Sequence, residues 1–142
     1  MWSRLPLLCG LVCLGACAHM HGTRDSVPSS GDRIFITQEQ IARSGASNAW
    51  EALKRNAPQL TYREGRNGQP TVLERRGRSS LLLNDAPLLF VDGVQMPDFK
   101  NLQSIPAAQL ASIEILDGVD GTTYYGTGAE GGVILIRTKN GS

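Results

Sequence analysis

From Arg33 to the last residue this chain contains neither histidine nor cysteine; its two histidines are His19 and His21, and its three cysteines are Cys9, Cys13 and Cys17. That absence removes Ser-His-Asp and Cys-His nucleophile systems from the segment. It removes zinc centres built on imidazole or thiolate as well. No disulfide framework is available there, so packing alone must hold the fold. A dominant charge sign is also missing, with 14 Lys+Arg against 13 Asp+Glu. The balance gives no global drive toward nucleic acid or anionic lipid, and no nucleic-acid partner is expected.

What is present begins at the N-terminus. Met1 to Arg4 form a short positive start, Leu5 to Gly15 are mostly apolar, and Leu14-Gly15-Ala16-Cys17 closes the run with small residues before a cysteine. This pattern reads as a lipoprotein signal peptide over residues 1–16 with acylation at Cys17. The apolar segment is shorter than the roughly 20 residues that a membrane-spanning helix needs. An ordinary secretory signal with an incidental cysteine is the alternative. In the lipoproteins this leader resembles, an aspartate at the position of Ala18 signals retention at the inner membrane, so the resemblance implies the outer membrane, periplasmic face. Removing Arg4 with the leader takes Lys+Arg from 14 to 13 against 13 Asp+Glu, a net charge of zero.

Residues 17–32 carry the lipidated cysteine and then a stretch of turn formers with little apolar content, read as a flexible tether. The fifteen residues 18–32 would hold a domain roughly 20 Å from the lipid, or about 50 Å when extended. His19-Met20-His21 resembles a copper or nickel site, but three donors in a floppy segment lack the surrounding groups that orient ligands. The tether reading stands, and no metal or cofactor is expected.

Carboxylates are the remaining chemistry. Asp92, Asp98, Glu114, Asp117, Asp120 and Glu130 are dense, yet Asp117-Gly-Val-Asp120-Gly lacks the alternating spacing of a calcium loop. Tight turns are the expected role of the Asp-Gly pairs. Gly126-Thr-Gly128-Ala-Glu-Gly131 matches G-x-G-x-x-G literally. It leads into a strand pattern rather than a helix, and no ribose-binding acid follows, so a nucleotide fold is rejected.

Local patterns from Arg33 onward are mixed. Ile34–Ile36 reads as a strand; Thr37 with Gln40 forms a capping box, and Ile36 with Ile41 a hydrophobic staple, for a helix ending at Gly45. Ser47 is expected to cap a second helix through Asn56, with Ala49, Trp50 and Leu53 on its buried face. Leu60-Thr-Tyr-Arg and Thr71-Val-Leu-Glu-Arg flank the hairpin signal Asn67-Gly68, with Pro70 demanding an edge or an irregular start. Arg63, Arg66, Arg75, Arg76 and Arg78 against Glu64 and Glu74 leave this stretch three positive charges in excess. Leu88–Val91, Ser112–Leu116 and Val133–Thr138 read as strands, and residues 105–110, opening with Pro106, as a brief helix. The expected fold class is α+β: a small mixed β-sheet with short helices and long loops, one domain over residues 33–139 with a tail at 140–142.

Thr71-Val-Leu-Glu-Arg-Arg-Gly-Arg-Ser-Ser-Leu, Pro87-Leu-Leu-Phe-Val-Asp-Gly-Val, Ser112-Ile-Glu-Ile-Leu-Asp-Gly and Tyr125-Gly-Thr-Gly-Ala-Glu-Gly-Gly-Val-Ile-Leu-Ile-Arg-Thr-Lys occur in this order. Together they resemble the plug domain of TonB-dependent outer-membrane receptors, nearest to the SusC-like branch. The resemblance covers essentially all of residues 34–139. It implies a small mixed sheet seated in a 22-stranded barrel, with loops that meet ligand outside and an N-terminal side facing the periplasm and TonB. Such a barrel needs well over 200 residues at about 9–11 per strand. Three residues follow Lys139, and the expectation is a stand-alone plug without its barrel. The tether shows no TonB box, and Arg33-Ile-Phe-Ile-Thr reads as the plug's own first strand or, alternatively, as a strand for a partner's sheet edge. Direct TonB contact is therefore not expected.

Three functions remain open at this level. One is a lipid-anchored, non-enzymatic accessory of outer-membrane uptake that binds a barrel, a receptor or another envelope protein. Another is a periplasmic lipoprotein that binds a glycan or siderophore, and the third is a degenerate receptor fragment. No nucleophile and base pair is visible, so no enzyme is expected. Candidate ligand or partner contacts are Arg76 and Arg78 in the basic hairpin stretch, Asp92 and Gly93 opening the loop toward Asn101, and Tyr124 and Tyr125 in the loop from Gly121 to Gly132. Trp50 is expected in the core.

Overall fold

Thr37 begins the first helix as its neighbours require. In the computed structural model, which describes residues 33–76 and 86–141, its hydroxyl accepts from the Gln40 N–H at 3.3 Å while its own N–H donates to Gln40 Oε1 at 2.8 Å. Strand β1 (Ile34–Thr37) thus passes directly into α1 (Gln38–Ser44). Ile36 and Ile41 are both buried, as a staple demands, and Gly45 ends the helix in the left-handed region at φ 65°.

The next helix, α2 (Ala49–Asn56), corrects one expectation. Its cap is Asn48, whose Oδ1 accepts from the Glu51 N–H at 3.0 Å, rather than Ser47. Ser47 instead donates its N–H and its hydroxyl to the Glu51 carboxylate, at 3.0 and 2.8 Å. These bonds hold Glu51 below the usual carboxylate range, the backbone bond contributing most. Residues 105–110 are the second correction, forming only a 3-10 turn at Ala107–Gln109 before a strand. Their backbone is already engaged: Ala49 N–H donates to Ile105 O, Ala107 N–H donates to Ser47 O, and Asn48 and Pro106 form an isolated bridge.

Strands β2 (Leu60–Glu64) and β3 (Pro70–Arg75) form a two-stranded sheet around Asn67-Gly68, with the pairing irregular beside Pro70, where that residue has no N–H to give. The other strands are β4 (Leu88–Val91), β5 (Val94–Met96), β6 (Leu110–Leu116) and β7 (Val133–Thr138). With β1 they make a five-stranded sheet in the order β1-β6-β7-β4-β5. Only β4 and β7 run parallel; the other neighbours are antiparallel, so the sheet is mixed.

Register divides the sheet into two faces. Ile36, Ile113 and Ile136 lie in one row, and Ile34, Ile115, Ile134, Leu89 and Met96 in another on the same face. These pack with Trp50, Leu53, Leu60, Leu73 and Leu102 into the main core. Trp50 is 1% exposed and belongs to that core. The opposite face carries Phe35, Glu114, Leu135, Phe90 and Gln95 in one transverse row. Its smaller cluster, Leu116, Ala129 and Val133, lies near a third helix, α3 (Gly118–Tyr125).

Candidate binding surface

Helix α3 is absent from the sequence reading, which treats Asp117-Gly118 as a turn and residues 121–132 as a loop. Asp117 is in fact the helix cap: its Oδ1 accepts from the Val119 and Asp120 N–H groups at 2.9 and 2.8 Å. Glycines at 118 and 121 argue against a helix by propensity. Here they permit close packing. A Cβ at Gly118 would overlap the Glu130 carbonyl, and one at Gly121 would come within 2.8 Å of the Ala129 carbonyl. The strap that returns to β7 therefore crosses directly over the helix backbone. The Gly126-to-Gly131 stretch caps the C-terminus of α3 through Gly126 N–H to Thr122 O and leads into β7, which is the opposite of a phosphate-binding helix start.

The strap places both candidate tyrosines on a helix. Tyr124 is 68% exposed and Tyr125 38%. Tyr125 tilts against Phe90 of β4, ring centroids 4.9 Å apart. Phe90 is half-buried beside Leu88 and Leu135. Further along the same row stands Phe35, 57% exposed. Between Phe35 and Leu135 lies Glu114, bound to Arg33 Nε at 2.5 Å. The result is a sheet face that α3 covers at one end and that at the other exposes Phe35 among Thr37, Ser112, Glu114 and Arg137.

Asp92 and Gly93 form the tight connection between β4 and β5, both with positive φ, 49° and 81°. Successive left-handed residues are what a two-residue hairpin requires. The Asp92 carboxylate is engaged within the fold, accepting from the Thr138 N–H and hydroxyl, each at 2.7 Å. With Arg137 and Gly141 these two residues line a shallow depression of about 310 Å³. The segment toward Asn101, read as a loop, contains β5 and a 3-10 turn at Lys100–Ser104.

Arg76 is exposed at the end of β3, its N–H bonded to Gln59 O. It belongs to the separate hairpin sheet, away from the Asp92 turn in the topology. Arg78 and Cys17 lie outside the described residues, as do the leader and the tether. The five described ligand or partner candidates therefore lie on different elements: Asp92 with Gly93, Tyr124 with Tyr125, and Arg76. Phe35, Leu135 and Phe90 were missed as a surface. Their signal is apolar residues on both parities of Ile34-Phe35-Ile36 and Val133-Ile-Leu-Ile136, which marks strands with two apolar faces.

The hairpin sheet is itself tied down. Glu64 Oε1 accepts from Trp50 Nε1 at 2.6 Å and from Lys54 Nζ at 2.7 Å, which holds its carboxyl below the usual range, Lys54 first. Tyr62 meets Trp50 edge-on at 5.3 Å, and its hydroxyl sits 2.9 Å from the Leu53 and Ala57 carbonyls, sharing one proton between them. Burial pushes the Tyr62 phenol up. Among the described residues no group of three or more His, Cys, Asp or Glu is placed to hold a metal ion.

Comparison with known proteins meets this geometry. The family profile described as TonB-dependent Receptor Plug Domain matches residues 24–133. TonB-dependent receptor P26 of Formosa agariphila is 29% identical over 86% of this chain, and TonB-dependent receptor SusC of Bacteroides thetaiotaomicron 26% over 79%. In each case the match covers 12% of the relative. The RagAB peptide importer in its open-open state superposes with a TM-score of 0.56 at 27% identity, over 77% of this chain and 12% of that one. The ferric enterobactin receptor of Pseudomonas aeruginosa gives 0.58 at 25%, over 78% and 18%. The mixed sheet, the short helices and the ordered motifs are those of a receptor plug, and the chain belongs to the TonB-dependent receptor plug domain family.

Proposed function

We propose that this chain is a non-enzymatic plug module of outer-membrane uptake, anchored at the periplasmic face through an acylated Cys17 and engaging an outer-membrane barrel, a receptor or another envelope protein. The observation that carries the reading is the match of residues 24–133 to the plug family, in a fold that leaves Phe35 exposed on its edge strand. In-cell crosslinking followed by outer-membrane purification tests it. The full chain is expected in the outer-membrane fraction joined to a defined protein, and Cys17→Ser is expected to release it from that fraction. Persistent recovery as a free chain with no specific protein attached overturns the reading.

A second reading has one observation in its favour, the exposed Tyr124 and Tyr125, the latter beside Phe90. Aromatic faces of this sort stack on sugar rings or on aromatic chelates. On that reading the chain is a periplasmic binder of a glycan or siderophore. A glycan and siderophore panel should then raise the melting temperature of the parent chain and not of Tyr124→Ala or Tyr125→Ala. A flat response across the panel removes it.

A further inference from the structure

The five-stranded sheet ends in two unlike edges. β5 is three residues long and bounded by Gly93 and by Pro97, which has no N–H to offer a neighbour. β1 at the other end has β6 as its only neighbour in the sheet among the described residues. Ile34-Phe35-Ile36-Thr37 contains no Pro and no Lys, and its pairing with β6 runs without a bulge. Those are the devices that ordinarily blunt an edge. The nearest cation, Arg33, is engaged by Glu114. Phe35 stands on this edge at 57% exposure, on the face whose Phe90 meets Tyr125 of α3 but at the opposite end of that row.

We propose that β1 pairs antiparallel with β1 of a second copy of this chain about a two-fold axis at Phe35. An axis normal to the sheet maps each face onto itself, so residues opposite one another must share a face. Among the registers that do this, the one centred on Phe35 also sets the exposed ring against itself. It sets Phe35 opposite Phe35 of the second copy, Ile34 opposite Ile36 of the second copy, and Arg33 opposite Thr37 of the second copy.

The two phenyl rings then form a cross-strand aromatic pair, with Cβ atoms about 4.5–5.5 Å apart. The half-buried Ile34 gains a neighbour in the buried row, and no like charges stand directly opposite. The side chains of the strand therefore match a second copy of themselves, phenyl against phenyl and isoleucine against isoleucine across the axis. Four residues make a small interface, so the association is concentration-dependent. It requires nothing of the lipid anchor, and it goes beyond the function proposed above.

The test uses the full chain in membranes of the expressing cell. Oxidation of Phe35→Cys is expected to yield a disulfide-linked dimer several-fold above the parent chain, above Val94→Cys on the other edge, and above Thr37→Cys, which the register places opposite Arg33. Equal yield from all three variants indicates random collision and overturns the proposal. So does capture of a different protein by Phe35→Cys in place of the second copy. The mass of the purified full chain in detergent gives an independent reading, with Phe35→Lys and Phe35→Glu each expected to be monomeric and their mixture to recover the dimer. A parent chain that is monomeric at every concentration, or dimers that persist in both charged variants, overturns it.

Discussion

The Glu64 carboxylate accepts two bonds from groups on α2, the Trp50 indole N–H and the Lys54 ammonium, and so joins the hairpin sheet to the helix. Its folded-state pKa lies below the ordinary value of 4.5. A carboxylate depressed in this way stabilises the fold above its unfolded pKa, and the contribution is lost as pH falls through the folded value. Glu51 and Glu130 are depressed for related reasons, by hydrogen bonds from Ser47 and from backbone N–H groups. All three are solvent-accessible, so the effect is modest. Melting curves between pH 6 and pH 3 should show a loss of melting temperature that is smaller in Glu64→Gln than in the parent. At the Asp92-Gly93 turn the expected cost comes from the backbone. Gly93→Ala forces a Cβ into φ 81°, and urea unfolding should show a loss of about 1–2 kcal/mol.

Helix α3 and its strap are the element on which the candidate surface depends. Asp117→Ala removes the acceptor for two orphan N–H groups and is expected to cost about 0.5–2 kcal/mol. Fraying should loosen the Tyr125 contact with Phe90, readable as a loss of near-ultraviolet circular dichroism larger than the far-ultraviolet change. The two other helices were legible because their signals are local. Thr37 with Gln40, and the stripe of Ala49, Trp50 and Leu53, act within one or two turns. Cap Asn48 was displaced by one residue because Ser47 and Asn48 both suit the role, and the extended backbone of Asn48 decides between them. α3 was illegible because glycine propensity and close packing point in opposite directions, and packing becomes visible only once Glu130 and Ala129 are seen to lie across the helix.

At the scale of the molecule, β7 is the strand on which the sheet closes, pairing β6 on one side and β4 on the other. Ile134 is fully buried at that junction. Ile134→Ala is expected to cost about 2–5 kcal/mol by the loss of apolar contacts and the cavity left behind. Trp50 fluorescence and far-ultraviolet circular dichroism should still report one coincident urea transition, since α1, α2, the hairpin and the five-stranded sheet share a single main core. Two separate transitions would show that the hairpin sheet melts independently. The sequence by itself determined the absence of histidine and cysteine from Arg33 onward, the capping box, the Asn67-Gly68 hairpin and most of the strands, because each rests on residue types or on contacts a few positions apart. Only the tertiary structure decided the strand order, the tie from Asp92 to Thr138 across 46 positions, the helix after Asp117 and the face shared by Phe35, Leu135 and Phe90. Those depend on which distant segments become neighbours, and alternation along one strand shows that it has two faces without showing what covers either of them.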